Sequence, residues 1–308
     1  MIRMPGESWS GPLPPLDEKA SELRSELERD VVKLAGEIGE RNVFRPERLA
    51  AALEHIAAEL ASAGYTPRRQ GYSAIHQEVF NIDAEIPGSS RPEEIVIVGA
   101  HYDSVPDCAG ANDNATGVAG MLALARAFRS HKPARTLRFA AFVNEEPPFF
   151  QTDEMGSLVY AKGCRSRAEK VVAMLSLETM GCFSEAEGSQ SYPLPFSLFY
   201  PSRGNFIAFV GNLESRSLVH RAIACFREHA RFPSEGGAVP GFIQGVGWSD
   251  HWSFWQAGYP AIMITDTAPF RYAHYHLATD TPDRIDFESL ARITAGLEKV
   301  VEDLASGD

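Results

Sequence analysis

The chain has 308 residues, of which 44% are hydrophobic and 23% are charged, a composition typical of a folded, water-soluble protein. It excludes an intrinsically disordered chain, which would carry fewer apolar residues and more charge. No apolar run approaches the ~20 residues of a membrane-spanning helix. The net charge of −12 disfavours a nucleic-acid partner, because phosphate contacts need a basic surface. We therefore expect no nucleic acid and no membrane among the partners.

The cysteines and the N-terminal segment bear on the cellular compartment. The four cysteines are widely spaced and form no CxxC pair, which favours structural thiols over a disulfide framework. The first 15 residues are rich in Pro and Gly and lack the apolar core of a secretory signal. From these two features we expect a cytoplasmic location.

Hydrophobic periodicity predicts an irregular tail at residues 1–16, followed by alternating helices and strands. Helical spacing of apolar residues runs from Leu23 to Ile38, and a second helix is expected between Pro46 and Gly64. Residues 79–86 alternate as in a half-buried strand, whereas the continuous apolar run 95–100 is typical of a strand buried on both faces. Further strands are predicted at 136–143, 171–177, 207–210 and 260–265, and further helices at 118–128 (capped by Asn114), 217–230 and 287–304.

This order of elements predicts one α/β domain over residues 17–308. The simplest arrangement is a three-layer α/β/α sandwich, with a mainly parallel central sheet between two layers of helices. Because the first strand alternates between apolar and polar residues, we expect an antiparallel edge and hence a mixed sheet.

Three predicted strands are each followed directly by side chains that can bind a metal ion. Ligands of open α/β sheets bind at the carboxyl ends of the strands, so these side chains are expected to meet in one crevice. They are His101 and Asp103 after the strand 95–100, Glu145 and Glu146 after the strand 136–143, and Glu178 after the strand 171–177.

Taken singly, most candidates have an ordinary structural alternative. His101 could be a hydrogen-bonded core histidine, and Asp113 lies in a segment that resembles an Asx-rich turn. The adjacent pair Glu145 and Glu146 is the exception, because two mutually repulsive carboxylates seldom follow an apolar strand without a function. Together with His276, which lies in a predicted loop, these residues favour a metal site.

Six short motifs follow one another between residues 95 and 285. They are HxD (His101–Asp103), GANDNATG (Gly110–Gly117), NEE (Asn144–Glu146), SLE (Ser176–Glu178), SDHWSFWQAGYPA (Ser249–Ala261) and YHxxxDT (Tyr275–Thr281). In this order they resemble the two-zinc aminopeptidase family, which includes bacterial leucyl-type aminopeptidases and, more distantly, glutaminyl cyclases. The resemblance implies an α/β/α sandwich with a mixed sheet, in agreement with the pattern of elements.

The resemblance also implies a ligand set for two zinc ions. Asp113 would bridge the ions, His101 and Glu178 would complete the first site, and Glu146 and His276 would complete the second. A bridging carboxylate offsets the repulsion between ions ~3.5–4 Å apart, and about three protein ligands per ion leave an open position for water.

Two carboxylates have implied roles beside the metals. Glu145 would be the general base that takes the proton of a water bridging the zinc ions and passes it to the leaving amine. Asp103 would accept a hydrogen bond from the free ring nitrogen of His101 and fix its tautomer. Asp280 could serve His276 in the same way.

The chain departs from the family pattern at two places. Glu178 stands where many family aminopeptidases have Asp, which bears on ligand geometry and metal preference. The segment after Glu146 is longer than usual, and its Phe149 and Phe150 are expected either to form a wall of a substrate pocket or to anchor the loop on the core.

The family pattern bears on two further assignments. His276 is predicted as the metal ligand rather than His274, because the Tyr-His-xxx-Asp-Thr spacing selects it. Asp250 and His251 are predicted to shape the site or to contact substrate (substrate-binding) rather than to bind metal. Their structural alternative is a helix that begins with Ser249 as its N-cap.

The favoured function is a metal-dependent exopeptidase that acts on a peptide or a small amide. Two other classes stay open: acyl transfer of the glutaminyl cyclase type, with one zinc and attack by the substrate's own amine, and a non-catalytic, receptor-like member of the fold. The complete set of five ligands favours the two-metal hydrolase, since a receptor-like protein would lack several of them. The sequence does not indicate the oligomeric state.

Overall fold

The structure, a computed structural model that describes residues 2–307, is built around a mixed sheet of eight strands. In chain order the strands are β1 (Arg68–Ala74), β2 (Gln77–Ile86), β3 (Arg91–His101), β4 (Arg135–Phe142), β5 (Lys170–Glu178), β6 (Ile207–Gly211), β7 (Ser234–Ala238) and β8 (Ala261–Thr265). They lie side by side in the order β1-β2-β4-β3-β5-β8-β6-β7. The pairs β4–β3, β3–β5, β5–β8 and β6–β7 are parallel, while β1–β2, β2–β4 and β8–β6 are antiparallel. The prediction of a mixed, mainly parallel sheet with an antiparallel edge is confirmed.

Helices cover both faces of the sheet. They are α1 (Glu18–Val31), α2 (Pro46–Ser62), α3 (Thr116–Phe128), α4 (Gly156–Ser166), α5 (Arg216–His229), α6 (His251–Gln256) and α7 (Phe287–Ser306). One face packs against α1, α2, α3, α5 and α7, and the other against α4 and α6, so the predicted three-layer sandwich is confirmed. Among residues 2–307, no helix combines the length and the apolar character needed to cross a bilayer.

The central strand β3 separates two hydrophobic cores. Val96, Val98 and Ala100 belong to the larger core under α1, α3 and α7, whereas Ile95 and Ile97 belong to the smaller core under α4 and α6. Side chains of a strand alternate between its two faces, and both faces are covered here. The continuous apolar run that predicted a doubly buried strand follows directly from this position.

Four elements were not predicted from the sequence: β1, β7, α4 and α6. The edge strands β1 and β7 have the sequences RRQGYSA and SEGGA, which lack an alternating apolar pattern. An edge strand is held by backbone hydrogen bonds to its single neighbour, so it can form without that pattern. Helix α6 has only 6 residues, too few for a helical period to be visible.

The N-terminal segment is irregular but attached to the sheet. Residues 2–17 contain no helix or strand, as predicted for residues 1–16, of which Met1 lies outside the described residues. Ser8 Oγ accepts a hydrogen bond from Ser234 N at 2.8 Å, and Arg227 donates to the carbonyls of Pro5 and Gly6. The segment therefore packs along the edge strand β7.

The four cysteines are free thiols. Cys108 donates to the carbonyl of Leu277, and Cys164 lies in the smaller core. Burial raises the pKa of both thiols to about 12, which keeps them protonated at neutral pH and unreactive as nucleophiles.

Candidate metal centre

The candidate ligands converge because three parallel strands end side by side. His101 is the last residue of β3 and Glu178 the last residue of β5, while Glu145 and Glu146 follow the end of β4. Because β4, β3 and β5 are adjacent and parallel, their carboxyl ends form one edge of the sheet, where ligands of such sheets bind.

The carboxylate of Asp113 lies between two histidines. Its Oδ1 is 3.2 Å from Nε2 of His101, and its Oδ2 is 3.1 Å from Nε2 of His276. Nε2 of His101 is also 3.3 Å from Oε2 of Glu178, and Nε2 of His276 is 3.2 Å from Oε2 of Glu146. Two groups of three donor atoms therefore share Asp113, the arrangement in which one carboxylate bridges two metal ions.

The donor atoms of these groups fit divalent cations. Nε2 of His101 and of His276, Oδ2 of Asp113 and Oε1 of Glu146 are buried and have no hydrogen-bond partner among the described residues. Within residues 2–307, no Lys or Arg forms an ion pair with these carboxylates. Buried donors and acceptors without partners are costly, and imidazole nitrogen with carboxylate oxygen is a donor set that zinc accepts.

The pKa values of the cluster reflect its crowded carboxylates. Burial and the neighbouring Glu146 raise the pKa of Glu145 well above its usual range, and burial together with Asp113 raises that of Glu146 to about 8. Burial lowers the pKa of His276, but its contacts with Asp113 and Glu146 outweigh this effect and raise it to about 10. A bound cation would lower the carboxylate pKa values again, because positive charge stabilises the ionised form.

The loop that carries Asp113 is fixed by buried hydrogen bonds. Asp280 accepts from the backbone N–H groups of Asn112 and Asp113 through its two carboxylate oxygens, at 2.9 and 3.1 Å. Asn114 accepts from Gly117 N in the first turn of α3 at 3.0 Å, although the N-cap position of the helix is Ala115 and not the predicted Asn114. The Asn114 amide donates to the carbonyl of Leu177. These bonds join the Asp113 loop to the start of α3 and to the end of β5.

The left-handed backbone conformation of Asn144 brings Glu145 and Glu146 into the cluster. Asn144 has φ of 57°, a conformation that Asn adopts more readily than most residues, and it turns the chain after β4. Asp103 then accepts from the backbone N–H groups of Glu145 and Glu146, at 3.1 Å each. Oδ1 of Asp103 is 3.5 Å from Nδ1 of His101, so Asp103 orients the glutamate backbone more closely than the imidazole it was predicted to hold.

The structure corrects one expectation and separates the two competing histidines. Asp280 holds the Asp113 loop and Tyr272 Oη and is not a hydrogen-bond partner of His276, which was its expected role. Nδ1 of His274 is 2.8 Å from Oγ1 of Thr279, and His274 belongs to neither group of donor atoms. The histidine in the cluster is His276.

The two residues that were expected to contact substrate lie in the protein interior. Asp250 and His251 are fully buried. They do not line the cavity that adjoins the donor cluster at Glu178 and Tyr275. Nε2 of His251 is 2.7 Å from the carbonyl of Val246, and burial lowers the His251 pKa to about 4. This position agrees with shaping the site and not with direct contact to substrate.

The two phenylalanines of the long loop do not line the cavity either. Phe149 is buried in the larger hydrophobic core, and its N–H donates to the carbonyl of Glu146 at 3.0 Å. Phe150 is half-buried. The placement favours anchoring of the loop over a pocket wall.

Two residues at the site were missed by the sequence reasoning. Ser249 is not an N-cap through its side chain: its Oγ donates to Oε2 of Glu178 at 2.7 Å. Tyr275 stacks on His276, with ring centroids 3.9 Å apart, and borders the cavity. Their positions in the sequence could have indicated them, because Ser249 opens the motif SDHWSFWQAGYPA and Tyr275 directly precedes His276 in the motif YHxxxDT.

The cavity adjoins the cluster at Glu178 and Tyr275 and extends over β8, β6 and β7. It is open on one side and mostly apolar. Its aromatic lining comes from Tyr192, Phe196, Tyr200, Phe206, Trp248 and Phe270.

Fold and site together define an α/β/α protein with two groups of candidate metal donors, sharing Asp113, at the carboxyl edge of its sheet. The family model described as peptidase family M28 matches residues 81–301, well over half of the chain. The chain therefore belongs to peptidase family M28, which confirms the resemblance drawn from the six motifs.

Similar sequences include one nearly full-length bacterial relative. The chain is 36% identical over 300 residues to the uncharacterized protein YfbL of Escherichia coli, and the match covers 94% of this chain and 91% of that protein. It is 28% identical over 251 residues to a probable zinc metalloprotease of Leptosphaeria maculans, which covers 70% of this chain and 54% of the fungal protein. The chain thus spans about half the length of this fungal relative.

Solved structures share the fold. The zinc aminopeptidase BSAP from Bacillus subtilis superposes with a TM-score of 0.73 at 16% identity, covering 94% of this chain and 96% of that one. Glutaminyl cyclase from Fimbriiglobus ruber superposes with a TM-score of 0.68 at 21% identity, covering 96% and 97%. At these identities the likeness establishes the fold alone, and the fold serves both kinds of enzyme.

Proposed function

We propose that this protein is an aminopeptidase that removes the N-terminal residue of a peptide or small amide with the aid of two zinc ions. Asp113 would bridge the ions, with His101 and Glu178 on one side and Glu146 and His276 on the other. The observation that carries this proposal is the placement of the two Asp113 oxygens, each 3.1–3.2 Å from Nε2 of a different histidine.

The chemistry needs a Lewis acid and a base. Bound zinc would polarise the scissile carbonyl and lower the pKa of the attacking water. Glu145 is buried beside the ligands, with Oε2 3.9 Å from Nε2 of His101, and burial raises its pKa. A buried carboxylate beside the ligands can accept a proton and return it, so Glu145 would take the water proton and deliver it to the leaving amine.

Hydrolysis is favoured over acyl transfer with a single zinc by the completeness of both donor groups. His101 and Glu178 form one group with Asp113, and Glu146 and His276 form the other. The mostly apolar cavity beside Glu178 would accept a substrate side chain next to the reacting carbonyl.

The test measures zinc content by elemental analysis, together with hydrolysis of a panel of aminoacyl anilides. We expect about two zinc ions per chain in the wild type and in Glu145→Gln, and hydrolysis that is lost by at least ~10³-fold only in the variant. Glu214→Gln removes an exposed carboxylate outside the site and serves as the matched control, with unchanged zinc content and hydrolysis.

Other outcomes would overturn the proposal in distinct ways. One zinc ion per chain with cyclisation of N-terminal glutamine would indicate a glutaminyl cyclase-like transferase. No bound zinc, and no hydrolysis after zinc is added, would indicate a receptor-like member of the fold. Equal activity of Glu145→Gln and wild type would remove Glu145 from the mechanism.

A further inference from the structure

The floor of the cavity contains a row of residues that pair across four neighbouring strands. Glu178 of β5 pairs with Thr265 of β8, Thr265 pairs with Ala208 of β6, and Ala208 pairs with Glu235 of β7. All four residues line the cavity. Neighbouring strands lie ~4.8 Å apart, so the Cα atoms of Glu178 and Glu235 are roughly 14 Å apart. The row leads from the candidate metal centre to a second carboxylate.

Glu235 is half-buried and lacks a partner. Within residues 2–307 its carboxylate takes part in no hydrogen bond or ion pair. Arg227, the cation that influences it, donates instead to Ser234 and to the carbonyls of Pro5 and Gly6. Burial raises the pKa of Glu235, and Arg227 opposes this only in part. A partly desolvated carboxylate without a partner is costly, and a bound cation would relieve that cost.

The walls around Glu235 offer aromatic ring faces. Tyr192 and Tyr200 stack with ring centroids 5.7 Å apart, and their hydroxyls donate to the carbonyls of Pro201 and Gly236, at 2.7 Å each. The hydroxyl groups of both tyrosines are therefore hydrogen-bonded within the protein, and the two residues line the cavity. Ring faces attract guanidinium and ammonium groups, and apolar walls bury the aliphatic stem of a long cationic side chain.

We infer that this cavity holds the side chain of the substrate's N-terminal residue and that Glu235 makes it select a long side chain ending in a cation, as in arginine or lysine. The inference rests on the proposed aminopeptidase function. An extended arginine side chain reaches about 7 Å from its Cα, and Glu235 lines the same cavity at the far end of the row. A residue whose carbonyl lies at the candidate metal centre would direct its cation into this cavity, toward Glu235.

The experiment compares substrates that differ only in charge. Arginine and citrulline 4-nitroanilides have side chains of nearly equal shape, and only arginine is cationic. We expect the wild type to hydrolyse the arginine anilide with a kcat/KM about 10- to 100-fold higher, the range for a hydrogen bond to a charged group. In Glu235→Gln the ratio of the two values is expected to fall to within about threefold. Glu214→Gln, with the same loss of charge outside the cavity, should keep the wild-type ratio.

A binding measurement separates this inference from the proposed function. Calorimetry on zinc-loaded Glu145→Gln compares argininamide with citrullinamide, with and without the additional Glu235→Gln change. Tighter binding of argininamide that depends on Glu235 would support the inference even if no anilide were hydrolysed. Hydrolysis without preference for arginine over citrulline, or a preference that survives Glu235→Gln, would overturn it and leave the aminopeptidase proposal standing.

Discussion

Ser249 donates a hydrogen bond to Glu178, one of the candidate zinc ligands. Its Oγ donates to Oε2 of Glu178 at 2.7 Å and is 2.8 Å from Oγ of Ser176. A hydrogen-bond partner of a ligating carboxylate typically changes metal affinity by 10- to 100-fold. We expect Ser249→Ala to weaken zinc binding by about that factor, measured by competition with a chromophoric chelator.

Ser253→Ala is the matched control for this prediction. Ser253 is buried in the adjacent helix α6, and its Oγ is 2.8 Å from Oγ of Ser157, so this change also removes a buried serine–serine bond. Within residues 2–307, Ser253 has no hydrogen bond to a candidate ligand. Equal zinc affinities of the two variants would contradict the role assigned to Ser249.

At the residue scale, the sequence identifies the candidate metal ligands but not the residues that hydrogen-bond to them. His101, Asp113 and Glu146 stand out because histidines and carboxylates next to apolar strands are unusual. A serine carries no such signal, since its hydroxyl is equally common in a helix cap. The hydrogen bond between Ser249 and Glu178 depends on how α6 packs against β5, which only the folded chain reveals.

At the scale of elements, Arg41 joins the connection between α1 and α2 to the loop after β3. It is fully buried, and its guanidinium donates to the carbonyls of Tyr102 and Gly110, at 2.7 and 2.9 Å, and to that of Ala109. Gly110 opens the loop that carries Asp113. A single side chain therefore connects the α1–α2 segment to the edge of the sheet that carries the candidate metal ligands.

We expect Arg41→Met to lower the free energy of unfolding by about 3 kcal/mol or more, because it leaves buried carbonyl groups without donors. Arg41→Lys keeps the positive charge but cannot reproduce the planar set of donors, so a smaller loss is expected. Urea unfolding of the zinc-loaded proteins measures both values. A methionine variant as stable as the wild type would show that water or neighbouring groups satisfy those carbonyls.

The elements that sequence patterns predicted are those whose buried face is made of large apolar residues at regular or continuous spacing. The continuous apolar run of β3 and the long apolar stripe of α7 reflect cores on both sides of the sheet. The strand β7 is SEGGA, and its formation depends on pairing with β6. Since Glu235 lies in β7, the cavity that it lines could not be predicted from local pattern.

At the scale of the whole molecule, the strand order creates the site. Residues as far apart in sequence as His101 and His276 meet because β4, β3 and β5 are neighbours and the loops above them fold back over the same edge. The rule that ligands bind at the carboxyl ends of parallel strands predicted this convergence. The position of the cavity on one side of the cluster follows instead from β8, β6 and β7, whose order no sequence pattern gave.

The whole fold is also expected to lose stability in acid through His251. Burial lowers its pKa from 6.5 to about 4 in the folded protein, whereas in the unfolded chain the ring is solvated. Between these two values the unfolded chain binds a proton that the folded protein does not. Stability contributed by the neutral, buried ring is therefore complete above pH ~6.5 and is lost as the pH falls toward about 4, by about 3 kcal/mol in total.

The measurement is the free energy of unfolding between pH 7.5 and 4 for the wild type and His251→Gln, with the difference taken at each pH so that metal release affects both proteins alike. Glutamine can still donate to the carbonyl of Val246 but does not titrate, so the wild type should lose about 3 kcal/mol relative to this variant across the interval. His229→Gln, which changes an exposed histidine on α5, serves as the matched control. Parallel curves for wild type and His251→Gln would mean that the buried ring is protonated in the folded protein, with a charge partner that offsets its burial.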